Sequence, residues 1–560
     1  MLHPAYDPEK AARLAGDLGA PLPAAHALVN RGVLNLTRAR TFLDPALEDL
    51  HDPGELLDLD RAVARIEAAI GAGESILVHG DYDVDGITST FMIYAVLREL
   101  GARIEYRIPH RTRDGYGLSE RAVAYAARRG HRLIVTVDSG ITAVQPVATA
   151  RAVGIDVIVT DHHEPPVTLP DAVAIVNPHR AGCPYPFKAL AGVGVTFKLI
   201  QALLKGRGGI ERAREYLDVV ALGTIADVVP LVGENRVLAR LGLDQLNRTE
   251  RLGLRALTRV SGLEGRDISG GQVAFVLAPR LNAAGRMGNA EQGVRLLLAR
   301  DAGEAADCAQ SLEDDNAQRR RFDEEALLQA ARRVETELGW PDCASILMWS
   351  DDWHPGVIGI VASRLVERFQ RPTLLISMDG DHGRGSGRSL PGLDLHQLLA
   401  DCGDLLLAHG GHAFAAGLSV ERAQLPALAE RFDRLVRERM SPDACVPRLE
   451  LDDDLHLSQC DLHLAEWLER LSPYGLDNTE PLFRARDLLV DQASTVGGGR
   501  HLKLRLRDAT GVAEAIGFHM GERLHEVGRA GRCDVAFAPT RNEWMGQARI
   551  QLKLKGVRVP

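Results

Sequence analysis

The stretch ILVHGDYDVDGITST, residues 76–90, places one histidine and three aspartates within seven positions, at His79, Asp81, Asp83 and Asp85. Carboxylates this close repel one another, so the pattern calls for a positive charge between them. The same residue types follow two further apolar runs: Asp138 in VTVDSG, and Asp161-His162-His163 in VTDHHEPP. One more acid, Asp227, ends the apolar segment VVALGTIADVVPL. Oxygen and imidazole donors without thiolates suit manganese or magnesium better than a structural zinc. A single ion rarely uses so many donors. Two divalent ions sharing a bridging carboxylate would neutralise the cluster, and such pairs serve phosphoester hydrolysis. Taken singly, each residue has an ordinary explanation as a turn former, a helix terminus or a polar core group. Their recurrence at the ends of apolar runs is what points to a metal site.

Those runs must be the elements that position the donors. SILVH (75–79), RIEYRI (103–108), RLIVTVD (132–138), DVIVTD (156–161) and AVAIVN (172–177) are short, apolar and rich in β-branched residues. Helical patterns such as STFMIYAVLREL and SERAVAYAARRG lie between them. Strands alternating with helices predict a mostly parallel sheet covered on both faces. Open sheets of this kind place ligand sites beyond the carboxyl ends of their strands, where the scattered donors would meet. Residues 192–229 are expected to be helical and to pack on that core.

From about Ala302 to Leu338 the sequence lacks proline, is strongly charged and carries a thin apolar stripe, as a long helix joining two lobes would. A second α/β region follows, and the acidic, proline-containing SPDACVPRLELDDDL marks its end. Beyond it, HLKLRLRDATGVAEAIGF and ARIQLKLKGVRV alternate apolar with polar residues, the pattern of half-buried antiparallel strands in a small barrel. The expected division is a helical segment at 1–50, a parallel-sheet α/β domain at 51–300, a connecting helix at 301–340, a smaller α/β domain at 341–442 and a barrel at 443–560.

The whole chain of 560 residues carries a net charge of −10, which taken globally disfavours a nucleic-acid partner. Its distribution is uneven. Residues 484–560 hold 14 Lys and Arg against 8 Asp and Glu, an excess of +6 that leaves −16 for the remainder. On charge alone this fits a basic nucleic-acid-binding module on an acidic body and an ordinary basic surface equally well. Seven well-separated cysteines with no CxxC fit reduced thiols in a cytoplasm. The N-terminus lacks a signal-peptide pattern, and no apolar run is long enough to span a bilayer.

Together, DYDVDG, VDSG, DHH and GTIADVVPL resemble the DHH phosphoesterase superfamily. Their order and spacing most resemble the RecJ family of single-strand-specific 5′→3′ DNA exonucleases. The likeness runs through APRLNAAGRMG (278–288), HPGVIGIVASRL (354–365), GSGRS (385–389), GGHAFAAG (410–417) and PYGLDNTEPLF (473–483). It implies a DHH domain, a DHH-associated domain and an OB-like barrel.

The resemblance also implies two divalent ions, Mn or Mg. One would be held by His79, Asp83 and Asp138, the other by Asp85, Asp138, His162 and Asp227, with Asp138 bridging. His163 would touch the scissile phosphate or assist proton transfer. Asp81 falls outside that ligand set, as a catalytic-site residue orienting a ligand or as an exposed one. Ser386, Arg388 and Arg111 would grip a terminal 5′-phosphate, and His412 would line the same cleft. Arg280 and Arg286 would guide the strand or pair with surface acids. Trp544 is a candidate base-stacking residue, with Phe483 and Tyr474 more often core.

The implied partner is single-stranded DNA, with a single-strand-binding protein and a helicase as candidate suppliers of substrate. The implied setting is DNA repair and recombination by a cytoplasmic monomer that binds no membrane. Rival readings are a DHH hydrolase of nanoRNA or cyclic dinucleotides and a non-catalytic replication scaffold of the same fold. An inorganic pyrophosphatase shares the metal motif but has a much shorter chain.

Overall fold

The computed structural model describes residues 1–111, 113–441, 446, 448–544 and 547–559. Two compact units result. One comprises 1–278, 293–306 and 449–560, the other 279–292 and 307–448.

In the first unit, β1 (Ser75–His79), β2 (Arg103–Arg107), β3 (Leu133–Val137), β4 (Asp156–Thr160) and β5 (Ala174–Val176) form one parallel sheet in the order β2-β1-β3-β4-β5. Every residue of β3 is buried, because helices cover both faces; this is why the strand sequences are continuously apolar rather than alternating. The chain runs from β1 outward to β2, then returns to place β3 on the other side of β1. The crevice of such a sheet opens where this reversal occurs, between β1 and β3.

In the second unit, β6 (Ile346–Ser350), β7 (Thr373–Asp379), β8 (His382–Arg388), β9 (Ala408–Gly411) and β10 (Ala415–Glu421) pair in the order β6-β7-β8-β10-β9. The expected long helix spans Ala302–Thr336. Its apolar stripe, Ala305, Ala309, Leu312, Ala326, Ala330 and Val334, is interrupted by buried Asn316, Arg319 and Asp323.

The last part of the first unit holds the short β11 (Asp453–Asp454), then β12 (Phe483–Val496), β13 (His501–Arg507), β14 (Val512–Gly517), β15 (Arg532–Trp544) and β16 (Gln547–Arg558). The five longer strands run β12-β13-β14-β16-β15, and β15 pairs back onto β12, which closes the barrel. The parallel pairing of β14 with β16 amid antiparallel neighbours is the topology of an OB-fold. Helices Pro8–Leu18, Leu22–Asn30 and Leu36–Leu43 pack with its entry segment through Leu471. That contact is polar as well, since Arg31 reaches Asp452 at 2.9 Å and His26 reaches Asp453 at 2.5 Å.

Among the described residues no helix is long and apolar enough to cross a membrane. The six described cysteines are free.

Candidate metal centre

The loop after β1 turns directly into the helix Val84–Glu99, whose N-cap is Asp83. Its carboxylate accepts from the Gly86 amide at 3.0 Å, as a capping aspartate does. Asp85, inside the first turn, points the other way. It accepts from the Gly192 and Val193 amides, both at 2.7 Å, at the start of the helix Gly192–Leu203. An anion at a helix N-terminus is favoured by both the free N–H groups and the macrodipole.

Asp138 follows β3 with φ +57°, a conformation a non-glycine residue adopts only under constraint. Gly192 lies against it so closely that a Cβ there would stand 2.5 Å from Asp138 Oδ1. His162 follows β4. Its Nε2 is 3.2 Å from Asp138 Oδ1, 3.6 Å from Asp227 Oδ2 and 3.9 Å from Asp85 Oδ2. Asp227 is the C-cap of the helix Leu217–Ala226, and Val228 after it is held at φ +61°.

Donor atoms lie within 4.8 Å of one another in three sets: Asp138, His162 and His163; Asp85, His162 and Asp227; and Asp81, Asp83 and Asp138. The strand ends and the helix terminus therefore do converge. Asp81 is 3% exposed, so of the two roles open to it from sequence the exposed one is overturned. His79 belongs to none of the three sets; it is buried at the end of β1.

The electrostatics are those of buried acids crowded together. Burial, with Asp83 beside it, raises Asp85 to about 7 against the pull of the two helix amides. Burial and the neighbouring acids Asp85, Asp83 and Asp227 hold Asp138 well above the ordinary carboxylate range. Asp227 is raised by burial and by Asp85, and Asp81 by burial and by Asp83. Burial, with His163 adding to it, holds His162 down to about 4, and burial with Arg107 does the same to His79. Both ring nitrogens of His79, His162 Nε2 and one oxygen each of Asp81, Asp138 and Asp227 are buried without a hydrogen bond. An uncompensated buried polar group costs about 1–3 kcal/mol, more when charged, so a cluster of them fits cations and little else. Oxygen and nitrogen donors suit Mn or Mg.

Around this core stand Asp161, which the sequence offers as a donor type in DHH but with no role of its own, and Tyr116, which no sequence pattern singles out. Asp161 is fully buried and bonds the ring of His163 at 2.7 Å. The Tyr116 hydroxyl lies 3.1 Å and 3.3 Å from the two nitrogens of the same ring.

Residues 75–224 match the DHH family N-terminal domain, 343–438 the DHHA1 domain and 451–556 the RecJ OB domain. The single-stranded-DNA-specific exonuclease RecJ of Escherichia coli (strain K12) is 36% identical over 564 residues, 97% of each chain. The chain belongs to the RecJ family. RecJ of Bacillus subtilis (strain 168) is 37% identical, over 99% of this chain and 70% of its own. The crystal structure of RecJ from Thermus thermophilus in complex with Mn2+ superposes with a TM-score of 0.86 at 33% identity, covering 99% of this chain and 78% of that one.

The remaining sites expected from the RecJ resemblance fall as follows. Arg111 is exposed, its guanidinium 5.1 Å from the Tyr82 ring centre beside the Asp81–Asp85 loop. In the second unit, Arg388 on β8 donates to Ser386 Oγ at 3.2 Å. A Cβ on Gly359, at the start of the helix Ile358–Phe369, would lie 2.9 Å from Ser386 Oγ and 3.2 Å from Arg388 Nη2. A hydroxyl, a guanidinium and the first turn of a helix thus share one spot. His412 is exposed in the turn between β9 and β10. Arg280 is buried with its Nε 2.5 Å from Glu313, and Arg286 donates to the Gly356 carbonyl at 3.0 Å. Phe483 is fully buried in the barrel core, and the Tyr474 hydroxyl donates to the Leu468 carbonyl. The side chain of Trp544 lies outside the described residues.

Proposed function

We propose that this chain is a divalent-metal-dependent exonuclease that hydrolyses phosphodiester bonds of single-stranded DNA in the 5′→3′ direction, releasing 5′ mononucleotides in repair and recombination. The observation that carries the reading is the convergence of buried acidic and imidazole donors, several of their atoms without a hydrogen bond, at the strand ends of one sheet in a chain that is RecJ-like over 97% of its length. Asp85, Asp138, His162 and Asp227 would hold one Mn or Mg ion. Asp83 and Asp138, with His79 and Asp81 as further donors, would hold the other. When bound, such a pair activates water and screens the charge on the attacking and leaving oxygens.

The chain's own residues do the rest. The amides of Gly192 and Val193 fix the Asp85 carboxylate, and the constrained backbone of Asp138 aims its side chain at both sets of donors. His163 faces the scissile phosphate. In the second unit Ser386 and Arg388 take the terminal 5′-phosphate and His412 lines its approach; in the first unit Arg111 is a further phosphate contact, while Arg280 is paired with Glu313. The barrel holds the single strand through its basic surface, with Trp544 as a stacking residue. We place the protein as a cytoplasmic monomer, working on strands exposed by a helicase and covered by a single-strand-binding protein.

A DHH hydrolase of nanoRNA or cyclic dinucleotides has no use for the OB domain at 451–556, and a scaffold has no use for a complete donor set. Replacing Asp138 with Ala is expected to abolish digestion of a 5′-phosphorylated single strand, while binding of that strand in a gel-shift assay persists. Digestion at an undiminished rate would remove Asp138 from the reaction.

A further inference from the structure

Asp161 differs from its acidic neighbours Asp81, Asp138 and Asp227 in having no oxygen to spare. Its Oδ1 accepts from the His162 amide at 2.7 Å, the His163 amide at 3.1 Å and His163 Nδ1 at 2.7 Å; its Oδ2 accepts from the Ile141 amide at 2.9 Å. Asp81, Asp138 and Asp227 each keep a buried oxygen without a partner, whereas Asp161 has none. Asp161 belongs to none of the three donor sets, whereas Asp85, whose oxygens each accept one amide, does; an oxygen that accepts from three N–H groups is a good fixed acceptor. Asp161 lies between β4 and the histidine pair, so whatever it fixes is fixed to the sheet.

What it fixes is the ring of His163. That ring is held from several directions. Tyr116 stands edge-on to it, ring centres 5.6 Å apart, and its hydroxyl also donates to the Asp138 carbonyl at 3.4 Å. The ring of His162 packs 4.4 Å away, and Asn177 donates to the His163 carbonyl at 2.9 Å. A carboxylate on Nδ1 selects the tautomer in which Nε2 is the acceptor, with the Tyr116 hydroxyl 3.3 Å from it; an aspartate orients a catalytic imidazole elsewhere by the same logic.

We infer that Asp161, seconded by Tyr116, is the positioning residue of His163: by accepting the Nδ1 hydrogen bond it sets the tautomer and turns Nε2 toward the scissile phosphate. This rests on the proposed nuclease reading and adds to it the residue through which the histidine is aimed. Asp161 itself touches neither cation nor substrate.

The test is a double-mutant cycle on Mn-loaded full-length enzyme. Steady-state digestion of a 5′-phosphorylated oligonucleotide is measured for wild type, D161N, H163Q, the double variant and Y116F. We expect D161N to lower kcat by about 100-fold or more, the range of a lost acid–base contribution, with KM changed less than about threefold. In the H163Q background D161N should then cost less than about threefold, because a positioning residue has nothing left to position. Y116F should show a smaller loss in kcat. If the two losses multiply, Asp161 acts other than through His163 and the inference fails. If H163Q alone runs at the wild-type rate, the role given to His163 in the nuclease reading fails instead. Should D161N not fold, 15N spectra of the wild-type histidine rings decide: a proton on Nδ1 of His163 supports the assignment, and the opposite tautomer overturns it.

Discussion

At the scale of single residues, the centre depends on close approaches that only small or constrained residues permit. Gly192 is the clearest case. A methyl group there would meet Asp138 at 2.5 Å from Oδ1 and 2.8 Å from Cβ, so either the carboxylate or the helix start must move. Gly192→Ala is expected to weaken Mn binding by about 10- to 100-fold, the cost typical of disturbing a ligand's support. Titration calorimetry checks this, with the melting temperature as control. Unchanged affinity would mean that Asp138 is not held where it needs to be by this contact. The donors themselves were legible in sequence because acids and imidazoles recurred after apolar runs. Gly192, Tyr116 and Asp161's role were not. A glycine gains meaning only from what lies opposite it, and Tyr116 meets His163 across 47 positions that no local pattern links.

At the scale of elements, one side chain can serve structure and chemistry at once, and the two can be separated. Asp83 is both N-cap of the Val84–Glu99 helix and a member of a donor set. Asp83→Ser keeps a competent cap while removing the carboxylate; Asp83→Ala removes both. Ser should therefore leave stability within about 0.5 kcal/mol of wild type and Ala should cost about 1 kcal/mol, with metal affinity falling in both. Chemical denaturation together with Mn titration distinguishes them. Equal stability of the two variants would mean the cap contributes nothing. The five parallel strands were readable because burial on both faces makes them continuously apolar. The barrel was read only in part. Strands β13, β14 and β16 show period-two alternation, but β12 does not. Its pairing shifts register between Ala485 and Leu488 and again between Val490 and Gln492, and Asp487 sits at φ +52°. Bulges that bend a strand around a barrel corner erase the alternation by which it would be recognised.

At the scale of the whole molecule, a buried cation ties together the parts of the first unit. Arg236, on the helix Gly233–Leu246, donates to the carbonyls of Phe42 (2.7 Å), Leu471 (2.8 Å), Arg470 (3.0 Å) and Ser472 (3.1 Å), and lies 3.7 Å over the Phe42 ring. The N-terminal helices, the DHH body and the entry to the barrel thereby share one set of hydrogen bonds. Arg236→Met fills the volume but takes this donor from all four carbonyls; Leu471 keeps Asn478 at 2.8 Å and Ser472 keeps Arg240 at 3.4 Å. It is expected to destabilise by at least about 3 kcal/mol, seen as an earlier first transition in thermal unfolding. An unshifted transition would mean that apolar packing alone joins the three parts.

Across the first unit, donors scattered from β1 to the helix ending at Ala226 are proposed to hold two cations about one shared carboxylate. The most direct measurement is electron paramagnetic resonance of the protein loaded with increasing Mn2+. Two ions are expected to bind per chain, the second producing the broadened signal of an exchange-coupled pair, which Asp138→Ala removes. A single uncoupled ion per chain, or a coupled signal that survives in Asp138→Ala, would contradict that expectation.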